Sequence, residues 1–272
     1  MKKPLQVGLV VEGNATSSPV LRLSCMVEEL GPIKSVGLQV ARRISNFLRA
    51  GYGVTDYLDL GRANLILLRL PDSEVRRVVD ELCETELPFG ELSFVVCETW
   101  LTADVLAPLR RRGSQAASLV STVPHSQNSF AVEGDLGAVR KIKRLLERGG
   151  ARAIELRPGT KPGYFAANLL VTAIPIPVLQ LAQQALRDSG VAGNDLAVLM
   201  NEWSEVLRQR VKKGGRAAWG GPLAECSAEV ANEHLRLLAL RDPGLALALN
   251  EWLALAKRKT AKRAKSQAAG VS

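Results

Sequence analysis

Aromatic residues are scarce in this 272-residue chain, at 4% of the sequence, and histidine occurs only twice, as His125 and His234. Two histidines so far apart exclude a histidine-rich metal centre, and no metal site is expected. The four cysteines, Cys25, Cys83, Cys97 and Cys226, show no C-x-x-C spacing, so neither a zinc ribbon nor a thioredoxin-type dithiol is written here. Scattered in apolar settings, they read as reduced thiols of a reducing compartment. Long apolar runs are missing too. The longest, Leu169 to Ala182, carries Pro175 and Pro177 and reads as a buried, kinked helix, so no membrane span is expected. Met1-Lys-Lys opens like a signal peptide, but the apolar run after it is broken by Gln6 and ends at Glu12. The expectation is a soluble, cytoplasmic protein. There is no G-x-x-x-x-G-K-[ST] phosphate loop, no G-x-S-x-G elbow, no H-E-x-x-H and no aromatic platform for RNA.

What is present is aliphatic bulk and an uneven charge. Apolar residues make up 47% of the chain, which describes a globular protein rather than a disordered one. The formal net charge is +9, but Lys257, Arg258, Lys259, Lys262, Arg263 and Lys265 fall in a final stretch, 257–272, that holds no acid. The body is thus only mildly basic. The tail reads as a frayed basic end capable of salt-sensitive, sequence-independent attraction, and no specific nucleic-acid partner is expected.

Residues 1–157 alternate short aliphatic runs with helical patterns. Val7 to Val11 reads as a buried strand. Ser17/Ser18-Pro19 places a hydroxyl cap before a proline and predicts a helix running to Leu30. A strand is expected around Ile33 to Val40, although Leu38, Ala41, Ile44 and Leu48 also fit helical spacing, and a helix over Arg42 to Ala50. Strands follow at Ala63–Leu70, Leu92–Cys97, Ala116–Val123 and Ala151–Leu156. Helices are expected from Pro71-Asp72-Ser73 to Leu82, over Ala103–Arg112 and over Leu136–Arg148. This alternation implies a parallel sheet covered by helices on both faces. After Arg157-Pro158 the pattern is helical throughout: Tyr164–Ser189, Asn194–Lys212, Leu223–Leu240 and Pro243 to about Arg263. The fold class is α/β followed by all-α. The expected domains are 1–157, a Rossmann-like sheet, and 158–256, a helical domain, with 257–272 as the tail.

In a dinucleotide-binding fold, the turn after the first strand holds the pyrophosphate against a helix N-terminus, and glycines let the backbone approach. Here that turn is Val11-Glu12-Gly13-Asn14-Ala15-Thr16-Ser17-Ser18, which keeps only the middle glycine of G-x-G-x-x-G. Asn14, Thr16, Ser17 and Ser18 suit phosphate, and equally suit a capped helix start. Leu70-Pro71-Asp72, Phe130-Ala-Val-Glu-Gly-Asp135, Tyr164-Phe-Ala-Ala, and Trp219-Gly-Gly-Pro222 before Glu233-His234-Leu235 complete a wider pattern. It resembles the Rossmann-like proteins with a C-terminal helical domain of unknown function, distant relatives of pyrroline-5-carboxylate reductase and of the 6-phosphogluconate and 3-hydroxyisobutyrate dehydrogenases. The resemblance implies NAD(P) binding across the carboxyl edge of the sheet and a homodimer formed through the helical domain. The chain departs from that pattern at Phe165, at Glu225-Cys226-Ser227, and at Cys97-Glu98-Thr99-Trp100; His125 lies near, but shifted from, a family histidine.

The candidate cofactor-binding residues are Gly13, Asn14, Thr16, Ser17, Ser18, Arg42, Arg43, Leu70, Pro71 and Asp72. Arg42 and Arg43 stand where a 2′-phosphate is met, or on a solvated helix face; with no acid nearby for a bare ribose, the expected cofactor is NADP. Asp72 either meets the nucleotide or caps the next helix. The candidate catalytic residues are Glu98, an acid or base if burial raises its pKa, and Tyr164 with Asn168, whose i, i+4 spacing matches a Lys–Asn pair of the related dehydrogenases. Trp100 either faces a cofactor cleft or packs on the helical domain, and Tyr164 is a proton donor or a core residue. His125 is a solvated loop residue or touches substrate; His234 reads as packed. Two functions stay open. One is an NAD(P)-dependent oxidoreductase acting on a small imine or carbonyl; the other is a catalytically inactive nucleotide-binding or interaction protein on the same scaffold.

Overall fold

The computed structural model describes residues 4–13, 18–123, 126–213 and 227–254. The chain divides into two compact units, Met1–Asn168 and Leu169–Ser272. The first holds eight strands: β1 (Val7–Val11), β2 (Leu30–Lys34), β3 (Tyr52–Val54), β4 (Leu65–Arg69), β5 (Ser93–Cys97), β6 (Gln115–Ser121), β7 (Ser129–Gly134) and β8 (Arg152–Glu155). They form one sheet in the order β3-β2-β1-β4-β5-β6-β7-β8. β1 is flanked in parallel by β2 and β4, so the order reverses at the β1/β4 step. Ligands of open α/β sheets bind in the crevice at that switch point. A Rossmann-like sheet followed by helices is thus the observed architecture.

Strand alternation sorts the aliphatic runs onto two faces. Val7, Leu9, Val11, Leu65, Leu67, Val95, Leu119 and Phe130 pack on one side against α1 (Met26–Glu29), α2 (Leu38–Leu48) and α5 (Leu136–Arg148). Val10, Ile66, Leu68, Phe94 and Val96 pack on the other against α3 (Val75–Cys83) and α4 (Ala107–Arg111). Both faces are covered, which is why these strands are apolar throughout rather than alternating.

Several expectations are corrected. The helix expected from Ser18-Pro19 to Leu30 is a 3-10 turn at Val20–Arg22, an extended Leu23, and then only α1. Val20, Leu21, Leu23, Cys25 and Met26 are all buried, a set too crowded for one helical stripe, so the chain unwinds to seat them. The second strand ends at Lys34 instead of Val40, and α2 begins at Leu38 rather than Arg42. Helical spacing prevails there because Ala41 is buried against the sheet with Ile44 and Leu48 packed beside it. Ala103–Arg112 divides into a 3-10 turn, Ala103–Leu106, and α4. β3 and β7 were not expected, and β7 runs antiparallel to β6. The link between them, 122–128, is too short for a helical crossover, which forces the reversal.

Beyond β8, α6 (Lys161–Thr172) begins in the first unit, and α7 (Pro175–Asp188), α8 (Gly193–Lys213) and α9 (Ala228–Arg241) follow. The expected boundary at 157/158 precedes the division at Asn168/Leu169 because Lys161, at the start of α6, is bonded into the sheet unit. Lys161–Asp188 is also long and apolar enough to cross a membrane by length and composition, its most apolar 18-residue window having a mean hydropathy of 1.8. The expectation that this run is buried is corrected, since none of that window is buried.

Candidate functional site

The carboxyl ends of β1, β4, β5 and β6 bring Gly13, Asp72, Glu98 and Ser121 to one edge of the sheet. Gly13, two residues past β1, has φ +71°, a left-handed conformation that favours glycine, and a Cβ there would meet only the Pro71 ring at 3.6 Å. Val11, in the place of the first glycine of the pattern, is wholly buried in the core. Asn14, Thr16, Ser17 and His125 lie outside the described residues, as do Trp219–Pro222, Glu225, Cys226 and the basic tail. Ser18 is buried, and its Oγ has no hydrogen-bond partner among the described residues. With only a 3-10 turn after it, the segment lacks the long helix whose dipole was expected to favour a diphosphate.

Asp72 does not cap α3. Its Oδ1 accepts a 2.5 Å hydrogen bond from Thr99 Oγ1, tying the loop after β4 to the loop after β5. Leu70 is buried, while Pro71 and Asp72 are exposed. Glu12, beside Gly13, is gripped by Arg77 of α3 at 2.7 and 2.8 Å, and Arg77 also binds Glu74 and Glu81. This clasp across the β1/β4 crevice was not read from the sequence, since its members lie 65 residues apart.

Glu98 is the most unusual residue of the edge. It is a non-glycine residue at φ +56°, and such strain collects at functional sites. Burial raises the pKa of its carboxyl; the Ser121 hydroxyl, the Arg69 guanidinium and the backbone amides of Ser121 and Val20 oppose that rise. Oε2 accepts from Ser121 Oγ at 3.3 Å, whereas Oε1, Arg69 Nε and Ser18 Oγ are buried without partners among the described residues. Three such buried atoms are what a polar ligand would satisfy, so the residues present fit a dinucleotide.

Trp100 does not stand alone. Its ring lies 4.9 Å from Phe165 and 6.0 Å from Tyr164, both in the first turns of α6. Burial raises the Tyr164 pKa, which keeps its proton on the phenol. Asn168 lies one turn further along α6. Arg42 and Arg43 are not with these groups: they sit exposed on the second turn of α2, and the Arg42 backbone closes over Gly53 of β3. A cavity of about 480 Å³ opens beside Asp72, Leu101 and Asp104, with Asp80 and a single cation, Arg76, in its wall. The excess of carboxylates there favours a positively charged guest.

The comparisons agree with this geometry. A structure from Bacteroides fragilis, provisionally named an NADP oxidoreductase, superposes with TM-score 0.73 at 17% identity, covering 95% of this chain and 98% of that one. The fold is shared. An imine reductase variant from Myxococcus stipitatus in complex with NAD+ gives 0.65 at 13% identity, covering 94% and 95% of the two chains. A pyrroline-5-carboxylate reductase from Coxiella burnetii gives 0.58 at 12%, covering 92% and 98%. Residues 128–255 match the model of a family described as a domain of unknown function, DUF2520. No protein of curated function matches the sequence. The likeness to pyrroline-5-carboxylate reductase read in the sequence holds for the fold.

Proposed function

We propose that the protein is an NAD(P)-dependent oxidoreductase acting on a small imine or carbonyl. The observation that carries the reading is the buried, strained Glu98 with an unpartnered oxygen, at the switch-point edge where the structural neighbours have the same fold. When bound, the nicotinamide dinucleotide supplies or accepts the hydride. In this chain, Gly13 and Ser18, with Asn14, Thr16 and Ser17, would hold the diphosphate against Pro71 and Asp72. Arg42 and Arg43 would reach a 2′-phosphate only from the outer face of α2. Glu98, whose carboxyl pKa is raised by burial, is the proton donor to the reacting nitrogen or oxygen, and Tyr164 with Asn168 orients the substrate. The carboxylate-rich cavity favours the imine, whose protonated form is a cation.

Titration of the purified protein with NADPH and NADH, followed by cofactor fluorescence, is expected to show saturable binding. Glu98→Gln should keep that binding and cut turnover about 100-fold or more. No binding of either cofactor at near-millimolar concentration ends the reading. A second reading, a nucleotide-binding protein without turnover, is favoured by the shortened helix after β1. It predicts binding with no turnover that Glu98→Gln could remove.

The proposed partner is a second copy, joined through the helical region. Leu170, Val171, Ile176 and Leu240 are 55–75% exposed on its helices, apolar area that a monomer would leave in water. Sedimentation is expected to give twice the 29.3 kDa chain mass at micromolar concentration. A monomer under those conditions refutes the pairing.

A further inference from the structure

Lys161 is the most deeply buried cation among the described residues, at 1% exposure, yet it makes no ion pair with a carboxylate among them. Its Nζ donates to Thr99 O at 2.9 Å, to Leu101 O at 2.5 Å and to Ser118 Oγ at 3.0 Å. An ammonium has three protons, and all three are used. Two of the acceptors are backbone carbonyls on either side of Trp100. The third, the Ser118 hydroxyl, in turn donates to Glu133 Oε1 at 3.3 Å, and the same oxygen accepts from Ala103 N at 3.3 Å. Glu133 is as buried as Lys161, at 2%. A cation from α6 and an anion from β7, bridged by a hydroxyl from β6, thus hold residues 99–103 from both ends. Thr99 is pinned further, its Oγ1 donating to Asp72 and accepting from Leu101 N at 3.0 Å.

We infer that Lys161 is a positioning residue: it fixes the turn after β5 so that the Glu98 carboxyl and the Trp100 indole are presented together at the edge of the sheet. Burying an ammonium is costly, and an apolar side chain of similar length would fill the space at lower cost. The charge is useful because a left-handed Glu98 is a strained conformation that a loop held by neutral contacts would relax. The use of this arrangement in chemistry rests on the oxidoreductase reading above. The arrangement itself does not, and it can be read without cofactor or substrate.

Burial lowers the Lys161 pKa to about 8, against the opposing charges of Glu133 on β7 and Asp72 after β4. The neighbouring Cys97 thiol and Tyr164 phenol are both pushed up by burial, away from that window. A protein with Trp203, Trp219 and Trp252 changed to Phe keeps Trp100 as its one indole. Its emission is expected to change with a single midpoint near pH 8, and Lys161→Met should abolish that transition. Iodide quenching of Trp100 at pH 7 should rise about twofold or more in Lys161→Met and return towards the parent value in Lys161→Arg. Emission that is flat from pH 7 to the ordinary lysine value of 10.5 in the lysine-bearing protein overturns the inference and needs no substitution at 161, so it remains decisive if Lys161→Met fails to fold. Unchanged quenching in a folded Lys161→Met overturns it equally. Loss of cofactor binding with the emission transition intact would instead count against the oxidoreductase reading alone.

Discussion

Gly134→Ala should unfold the protein under conditions where the parent chain is fully folded. Gly134 ends β7 at φ +137°, a region essentially closed to side-chain-bearing residues, and pairs across the antiparallel ladder with Ala117. A Cβ there would press on the carbonyl oxygen of Ala116 and lie 2.5 Å from the Cα of Ala117. Both are backbone atoms of a central strand, so neither can swing aside. The expected cost is about 4 kcal/mol or more, a large share of the roughly 5–15 kcal/mol that holds a domain together. Three residues on, Gly137→Ala should do the opposite. Its Cβ would displace only the Gln115 side-chain amide, and alanine is favoured over glycine in a helix by about 1 kcal/mol. Urea unfolding of the two variants tests both statements. Similar midpoints for Gly134→Ala and the parent would show that β7 does not pair as described.

The second large effect is one of pH. Below about pH 8, Lys161 is charged in both the folded and the unfolded chain, and the folded state bears the full cost of burying it. Between about 8 and the ordinary lysine value of 10.5 the unfolded chain holds the proton that the folded chain has released. The unfolded state then binds more protons, so stability rises with pH across that window. At 1.36 kcal/mol per pKa unit, the gain reaches about 3 kcal/mol once both forms are neutral. Other groups titrate over the same range, so the measurement is a difference. The stability of the parent relative to Lys161→Met should climb between pH 7.5 and 10.5 and be flat below. A constant difference would show that the lysine is solvated.

Much of the α/β unit is legible in residue order. Val7–Val11 and Leu136–Arg148 are found with the expected ends, because a buried run bounded by glycine and a periodic helix each fix their own limits. The first helix misleads because its signals are local. Ser18-Pro19 is a helix start anywhere, but here Val20, Leu21 and Leu23 have to reach the core together. β7 is missed since Phe130–Asp135 reads as a motif, and only its pairing with β6 makes it a strand. Of the candidate residues, Gly13, Ser18, Pro71, Asp72, Glu98 and Tyr164 can be singled out in advance, as each stands near a strand end or a helix start. Lys161 cannot. It sits among Arg157, Pro158, Gly159 and Thr160 and looks like part of a solvated linker.

From composition and spacing alone follow the class of fold, the succession of sheet and helices, and the chemistry that is excluded. Those depend on short-range regularities: side chains repeat every two residues in a strand and every 3.6 in a helix, and a zinc ribbon or a dithiol needs a C-x-x-C spacing that the sequence lacks. Tertiary packing alone decides which polar groups lose water and which find partners. Glu98 becomes a strained acid, Asp72 a tie to Thr99, and Lys161 a buried clamp, because β4, β5, β6 and α6 converge on one edge of the sheet. No local rule brings Lys161 to Thr99 across 62 residues. The environment that sets each charge is made by neighbours distant in sequence, and it exists only once the sheet is closed on both faces.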